Sequence, residues 1–338
     1  MRNVFIIGNG FDLDLGLSTK YSDFAQSKYW PTTVEKQIKE NEIHTTVEKR
    51  IKENEIHYKS FFYKKPLDLK ETIENAKNKE TWFDIEKELL EYSQPYYLIL
   101  HTGEKTTFQD SADMVNNNIN YFHELRDSLN KYILEVQNTQ KVKECTASDV
   151  LRAIIGNSFF DNIYSFNYTD LNLIAKQIGI NQEIKYTHLH GNASDNSIIL
   201  GVDETQLRKG YEIFHKSSSR YYRSHNLYNS LTTADEIVIF GLSFGSIDYS
   251  YFDSFFKGIS EGEYITEEQD QYITIFTKDD KSRLAIISNL RSMGINIQRL
   301  YSHTHFQIIC AADNGEQKEL ADFYKRLKEE KNRIRQKC

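Results

Sequence analysis

Short apolar segments alternate with helix-length segments over the second half of this chain of 338 residues. Six have the character of buried strands: DNIYSFN (161–167), EIKYTHLHG (183–191), SIILGV (197–202), DEIVIFG (235–241), QYITIFT (271–277) and INIQRL (295–300). Helical segments lie between most of them, including one predicted for Tyr221–Leu231. Strands separated by helices of about ten or more residues predict a parallel, doubly wound sheet. The apolar segment NVFIIG (3–8) is expected to join it as the first strand.

The first strand and the later ones are separated by a long stretch with little strand character. We therefore predict a doubly wound, mostly parallel α/β core that consists of residues 1–24 and 149–312. A large helical insertion (25–148) follows the first βα unit, and a charged helix (313–338) ends the chain.

The predicted insertion contains a tandem duplication. TTVEKQIKENEIH (32–44) is followed by TTVEKRIKENEIH (45–57), and each copy begins with a capping-box pattern. In one continuous helix, a shift of 13 residues would turn the apolar face by about 220°. Two short helices, or one helix with a looped-out copy, are therefore predicted at the surface.

Composition and charge exclude several classes of protein. The formal net charge of −7 argues against binding to nucleic acid through its phosphates. Three cysteines, Cys145, Cys310 and Cys338, lie far apart without a C-x-x-C pair, which argues against disulfides and a cysteine zinc site. No segment approaches the roughly 18 apolar residues of a membrane span. We expect a cytoplasmic protein without a membrane or nucleic-acid partner.

Four polar or glycine-rich segments follow predicted strands: GNGFD (8–12), FNYTD (166–170), HLHGN (188–192) and GLSFGSID (241–248). Ligands of open parallel sheets bind at the carboxyl ends of the strands, so these segments predict a shared site. The turn Gly8–Asn9–Gly10 suits backbone contact with a pyrophosphate. Leu13 stands where the dinucleotide fingerprint has its third glycine, so a tight structural turn explains the same residues equally well.

Two histidines and an asparagine are the candidates for chemistry. His188 and His190 share one strand face, but no further ligands are indicated, so no metal site is predicted. A neutral imidazole suits proton abstraction near pH 7, which favours His190 as a general base and leaves His188 as support for the pocket or a core residue. Asn167, taken alone, is typical of a turn. Asp84 and Glu86 are predicted to be solvated carboxylates.

The segment GLSFG also matches a nucleophile elbow of the Gly-x-Ser-x-Gly type, with Ser243 as the nucleophile. Asp279 or Asp280 and then His303 or His305 follow in the order Ser, Asp, His. A tight turn after a buried strand explains the same glycines.

Together with WFDIE and ILGVDE, these motifs occur in an order that resembles the AbiH family of bacteriophage abortive-infection proteins, from the first strand to about Phe252. That family in turn resembles sirtuin-like, Rossmann-like NAD-binding domains. The resemblance implies that Asn167 and His190 act on the nicotinamide ribose. It implies NAD binding by a second set of residues: Gly8, Asn9, Gly10, Phe11, Asp12, Gly16, Gly191, Gly241, Ser243 and Asp248.

The sequence departs from the sirtuin pattern at Asp12, Phe166 and Thr169, and it lacks the zinc-binding cysteines of protein deacylases. The resemblance therefore argues against deacylation and implies hydrolysis of NAD at its nicotinamide N-glycosidic bond. Asn167 would orient the ribose hydroxyl and water, and His190 would be the general base.

Two alternatives stay open. One is a non-catalytic nucleotide sensor that uses the same pocket, and the other is a serine hydrolase that uses Ser243. We also expect a homo-oligomer, a phage-derived trigger, and an insertion that serves as a lid, an oligomer interface or a sensor of infection.

Overall fold

The computed structural model describes most of the chain. The described residues are 3–31, 68–79, 84–95, 97–99, 105–107, 110–156, 160, 162–262, 271–312 and 316–335. The duplicated segment 32–57 lies outside them, and its two predicted helices stay a prediction.

Eight strands are present in the described part of the chain: β1 (Asn3–Ile7), β2 (Tyr97–Ile99), β3 (Lys105–Thr107), β4 (Asn162–Ser165), β5 (Thr187–His188), β6 (Glu236–Phe240), β7 (Tyr272–Thr277) and β8 (His305–Cys310). β2 and β3 form an antiparallel pair. The other six form one sheet in the order β5-β4-β1-β6-β7-β8, with every pair parallel. The predicted parallel α/β sheet is confirmed.

The α-helices of the described residues are α1 (Asn9–Asp14), α2 (Tyr21–Ala25), α3 (Leu69–Lys79), α4 (Ile85–Ser93), α5 (Ala112–Thr139), α6 (Thr146–Gly156), α7 (Leu171–Gln177), α8 (Leu227–Thr232), α9 (Tyr249–Glu261), α10 (Asp280–Ser292), α11 (Ile297–His303) and α12 (Gln317–Arg335). Short 3₁₀ turns occupy Glu212–Phe214, Lys216–Ser218 and Ser246–Asp248. Among these helices, none combines the length and apolar character that crossing a bilayer requires.

Both faces of the sheet are covered. Successive residues of a strand point to opposite faces, and in β1 Val4 and Ile6 belong to one hydrophobic core while Phe5 and Ile7 belong to the other. All four are almost fully buried. Burial on both faces explains why the strands are continuous apolar runs instead of alternating patterns.

The path of the chain reverses in the middle of the sheet. From β1 it runs to β4 and β5 on one side and later to β6, β7 and β8 on the other. The carboxyl ends of β1 and β6 therefore lie side by side, with Ile7 paired to Phe240. In open α/β sheets, ligands bind outside the carboxyl ends of the strands at such a reversal.

Several predicted elements are wrong. INIQRL is not a strand: the Asn296 side chain accepts a hydrogen bond from Arg299 N at 3.2 Å and caps helix α11, and the strand is the next segment, β8. SIILGV is an extended loop whose Val202 makes one isolated bridge to His215. The helix predicted for Tyr221–Leu231 begins only at Leu227. EIKYTHLHG forms strand only at Thr187–His188.

Candidate functional site

The loops that follow β1 and β6 touch backbone to backbone. Gly8 N donates to Phe240 O at 2.9 Å, and Gly10 N donates to Gly241 O at 2.8 Å. A Cβ atom on Gly241, whose φ is +71°, would lie 2.3 Å from Phe11 N. Glycine is required here because one loop packs against the other. The amides of Gly8 and Gly10 are thus already hydrogen-bonded within the protein, and their contact with a pyrophosphate stays a prediction.

Gly241→Ala is expected to lower the free energy of unfolding by about 2 kcal/mol more than Gly179→Ala, because overpacking adds about 1–3 kcal/mol. Both glycines have a left-handed φ, +71° at Gly241 and +84° at Gly179, but a Cβ on Gly179 meets open space. The control therefore carries only the left-handed backbone cost of about 1 kcal/mol. Urea unfolding of both variants measures the difference, and equal losses would show that the loop contact is not tight.

Two other predicted glycines shape their own turns. Gly16 follows α1 with φ +85°, and a Cβ there would lie 2.8 Å from the Lys143 side chain. Gly191 has φ +76°, and a Cβ there would lie 1.9 Å from Ser197 O. Both positions favour glycine because of their positive φ, and at Gly191 the close backbone contact requires it as well, whereas the Lys143 side chain beside Gly16 can move away.

A cavity of about 190 Å³ lies at the carboxyl ends of the strands. Its walls come from the segments after β1, β4, β5 and β6, with the start of α4 opposite. The lining includes seven residues predicted for the site: Asn9, Asp12, Asn167, His190, Gly241, Ser243 and Asp248. Five predicted residues lie outside the lining: Gly8, Gly10, Phe11, Gly16 and Gly191. The four motifs therefore share one cavity, as they predict.

Asp12 is a buried carboxyl group of this cavity, 1% exposed. Its Oδ2 accepts a hydrogen bond from Thr169 Oγ1 at 2.8 Å, and its Oδ1 is buried without a hydrogen-bond partner among the described residues. Burial raises the pKa of Asp12 to about 7, against the hydrogen bonds of Thr169 and Asn167, which lower it. Asn167 lies beside it and donates from Nδ2 to Gly8 O at 3.1 Å.

His190 is buried and neutral. Its Nε2 lies 3.3 Å from Lys216 Nζ and 3.4 Å from the Tyr251 hydroxyl. The rings of Phe166 and Tyr251 pack edge-on against the imidazole. Burial, followed by the charges of Lys216 and His225, lowers the pKa of His190 well below its ordinary value. Since Lys216 can only donate, Nε2 is the acceptor in this contact.

Lys216 is a buried ammonium group, 2% exposed, among carboxylates. It lies 3.4 Å from Glu86 Oε2 and 3.8 Å from Asp203 Oδ1. Burial lowers the pKa of Lys216, but Glu86, Asp203 and Asp248 together raise it above its ordinary value. Lys216 is therefore charged and links the Glu86 carboxyl to the His190 ring.

Glu86 is not the solvated carboxylate that the sequence predicted. It is 6% exposed and lines the cavity, and its Oε1 accepts a hydrogen bond from Gly201 N at 3.2 Å. Burial raises the pKa of Glu86 to about 7, against the charge of Lys216. Asp84 caps α4, the helix that carries Glu86, by accepting from Glu86 N at 3.0 Å and Lys87 N at 3.3 Å.

The cavity is acidic as a whole. Four of its described lining residues are carboxylic acids, namely Asp12, Asp84, Glu86 and Asp248, and Lys20 is the lining residue of opposite charge. Burial raises the pKa of Asp248 to about 6 and also raises that of Asp84. Such groups become ionised when a positive charge enters, so the cavity suits a cation or a cationic transition state.

Three tyrosines and His188 line or support the cavity beside its carboxylic acids. The hydroxyls of Tyr21 and Tyr168 lie 3.1 Å apart, and both side chains line the cavity. His188 supports the loop after β4: its Nδ1 lies 3.3 Å from Asn167 O and its Nε2 lies 2.9 Å from the Tyr186 hydroxyl. This is the supporting role that the sequence offered for His188.

The predicted Ser, Asp, His arrangement is not formed. Ser243 lines the cavity at the carboxyl end of β6. His303 and His305 lie at the amino end of β8, and because the strands are parallel this is the end of the sheet away from the cavity. His303 Nδ1 is 2.9 Å from Ile259 O. Asp279 caps α10 by accepting from Ser282 N at 2.9 Å. The serine-hydrolase alternative therefore loses its predicted base.

The family model for bacteriophage abortive infection AbiH matches residues 4–267 of the chain. This chain belongs to the AbiH family. Membership implies a role in antiviral defence by abortive infection. The AbiH match runs from β1 past α9 and so contains every segment that lines the cavity. No curated protein matches the chain.

Sequence reasoning missed part of this AbiH site. Thr169 and Asp170 are both typical N-cap residues in the sequence; Asp170 does cap α7, whereas Thr169 donates a hydrogen bond to Asp12 in the cavity. Lys216 was not singled out, because a lysine before three serines is typical of a solvated loop. Its burial depends on Glu86, which is 130 residues away in the chain, so no local signal reveals it.

Proposed function

We propose that this AbiH protein hydrolyses NAD at the bond between nicotinamide and ribose. The observation that supports this most is the sharing of one buried, carboxylate-lined cavity by Asn167 and His190, which come from the ends of neighbouring strands. Numbered along the chain, the six strands of the sheet have the order 3-2-1-4-5-6, which is that of dinucleotide-binding sheets. This order favours a Rossmann-like or sirtuin-like core.

The charge of the cavity fits the nicotinamide end of NAD. The oxidised nicotinamide ring is cationic, and when its bond to ribose breaks the positive charge moves to an oxocarbenium-like sugar. Asp12 and Glu86, with pKa values raised to about 7, ionise readily beside such a charge. Carboxylates fixed where positive charge develops stabilise the transition state.

The size of the cavity limits how much of NAD it encloses. A volume of about 190 Å³ is below the roughly 300–1,000 Å³ of sites that bury a whole drug-sized ligand. We infer that the nicotinamide riboside end enters, while the diphosphate stays at the mouth, away from the carboxylates. Asn9, Lys20 and Ser243, which line the cavity, would donate hydrogen bonds to it.

Asn167 and His190 have different roles in the proposed cleavage. Asn167 is held by its bond to Gly8 O, and its carbonyl oxygen orients a ribose hydroxyl and the water. The C–N bond breaks with its electron pair going to nicotinamide, water forms the new C–O bond, and His190 takes the water proton. Lys216 first leaves His190 Nε2, since Glu86 and Asp203 offer it other partners.

The contact of Lys216 with His190 also favours the second candidate, a nucleotide sensor without catalysis. While Lys216 stays on Nε2, the imidazole cannot accept a proton from water at that atom. A protein locked in this state would bind the nucleotide and release no nicotinamide.

Incubation of the purified protein with NAD, alone and with a phage lysate, tests the proposal. Chromatography follows nicotinamide and ADP-ribose, and calorimetry follows NAD binding. Equal release of both products supports hydrolysis. Binding without release in either condition contradicts hydrolysis and supports the sensor. Covalent labelling of Ser243 by a fluorophosphonate probe, lost in Ser243→Ala, would instead restore the serine hydrolase.

A further inference from the structure

A second cavity, of about 360 Å³, lies between α5 and the segment of residues 213–221. Four of its lining residues carry or can carry positive charge: His123, Arg126, His215 and Arg220. None of the described residues that line it is Asp or Glu. In a chain with a net charge of −7, whose first cavity holds four carboxylic acids, this is a local reversal of charge.

The basic groups of this second cavity can reach a ligand. Arg126 pairs with the carboxylate of Asp127 at 2.9 Å, but the Asp127 side chain is 53% exposed, and such surface pairs are weak. A phosphate can therefore replace it. His123 lines the cavity as well, but burial and the charge of Arg126 lower the pKa of its imidazole, so the positive charge offered to a ligand is that of Arg126 and Arg220.

The second cavity also offers a flat surface. The Arg220 guanidinium lies over the Tyr221 ring, 4.7 Å from its centroid, and the two side chains are hydrogen-bonded. An aromatic ring beside a planar guanidinium is a platform on which nucleobases stack. Both residues lie in a segment without regular secondary structure, next to the hydroxyls of Ser218 and Ser219.

We propose that this second cavity binds the phosphates of a nucleotide, with the base against Arg220 and Tyr221. Guanidinium groups recognise phosphate through paired, charge-assisted hydrogen bonds. The volume of about 360 Å³ falls within the usual range for small-molecule sites. The proposal goes beyond NAD hydrolysis and does not depend on it, since the two cavities have different linings.

The second cavity is joined to the first by two segments of the chain. Ile199, which lines the second cavity, donates from its backbone N to His190 O at 2.8 Å. His215 lines it as well, and the next residue is Lys216. A ligand in the second cavity would therefore contact the segment that holds Lys216 against His190.

Calorimetry on the full chain at low salt tests the proposal with ATP, inorganic tripolyphosphate and adenosine as probes. We expect ATP and tripolyphosphate to bind, and adenosine to bind at least tenfold more weakly than ATP, since charge-assisted bonds supply most of the affinity. Arg126→Gln and Arg220→Gln should each weaken ATP binding about tenfold or more. The matched control, Arg299→Gln, changes an exposed arginine of α11 and should leave it unchanged.

Three results would overturn the proposal. They are no binding of ATP or tripolyphosphate, adenosine binding as tight as that of ATP, and unchanged ATP affinity in both arginine variants. Ser243→Trp adds a bulky ring to the lining of the first cavity and so separates the two cavities. ATP binding that persists in it supports the second cavity, and ATP binding lost in it places the ligand in the first. Circular dichroism confirms that each variant is folded.

Discussion

His190→Ala and Asn167→Ala are each expected to lower the rate of nicotinamide release from NAD about 100- to 10,000-fold, the usual contribution of general acid–base catalysis and substrate orientation. His190 is the base that receives the water proton, and Asn167 positions the water and the ribose. Loss of either should reduce kcat far more than it raises KM, because both act on the bond that breaks. Steady-state kinetics on each variant measures the split.

Two matched variants control for the substitution itself. His303→Ala changes a histidine at the amino ends of the strands, away from the cavity, and Asn138→Ala changes an exposed asparagine of α5. Both are expected to keep the wild-type rate. If His190→Ala and Asn167→Ala also kept the wild-type rate, NAD would have to be cleaved somewhere other than in the cavity at the strand ends.

Lys216→Met is expected to lower the free energy of unfolding by about 3–5 kcal/mol at pH 8, because it leaves buried carboxylates without their partner. Glu86 is the group most affected, since Lys216 lowers its pKa and burial has already raised it from 4.5 to about 7. A folded pKa above the unfolded one means that the folded state binds more protons between the two values. Stability then falls as pH rises through that window, so the loss should be about 1 kcal/mol smaller at pH 5 than at pH 8.

Urea unfolding at pH 5 and pH 8 measures this dependence. The control is the double variant Lys216→Met with Glu86→Gln, in which the buried charge is removed together with its partner. It should regain most of the stability at pH 8. An equal loss at both pH values in the single variant would mean that the ammonium contributes packing and not charge.

The sheet was largely predictable from the sequence because burial on both faces gives each long strand an unbroken apolar run. β1, β6 and β7 each stand out in this way, with nearly every residue buried. The errors fall where that signal is weak. INIQRL has alternating apolar residues, but the cap at Asn296 makes it a helix, and β5 is only two residues long.

The site was predictable at the strand ends and not elsewhere. Asn167 and His190 follow strands directly, so the topology alone brings them together. Glu86 lies on helix α4 and Lys216 on a 3₁₀ turn, and their contact depends on how distant segments pack. A local pattern cannot carry that information, because the same residues in a solvated loop have the same sequence.

The glycines near the N-terminus show a different limit of prediction from sequence. Their spacing was compatible with contact with a pyrophosphate and, equally, with a tight structural turn, and the structure gives Gly8 and Gly10 a partner within the protein, the loop at Gly241. Close approach was predictable from glycine, but the identity of the approaching group was not. A sequence shows that a side chain is missing and does not show what fills its place.

The affinity of the slowed Asn167→Ala variant for NAD and for NADH tests the central claim most directly. That claim is that the acidic cavity takes the cationic nicotinamide end of NAD, and NADH differs from NAD by having a neutral ring. Unit charges of opposite sign near a protein surface attract by about 4 kcal/mol at 4 Å, so NAD should bind at least about tenfold more tightly than NADH. NADH binding that equals or exceeds NAD binding in calorimetry at pH 7.5 would contradict the account.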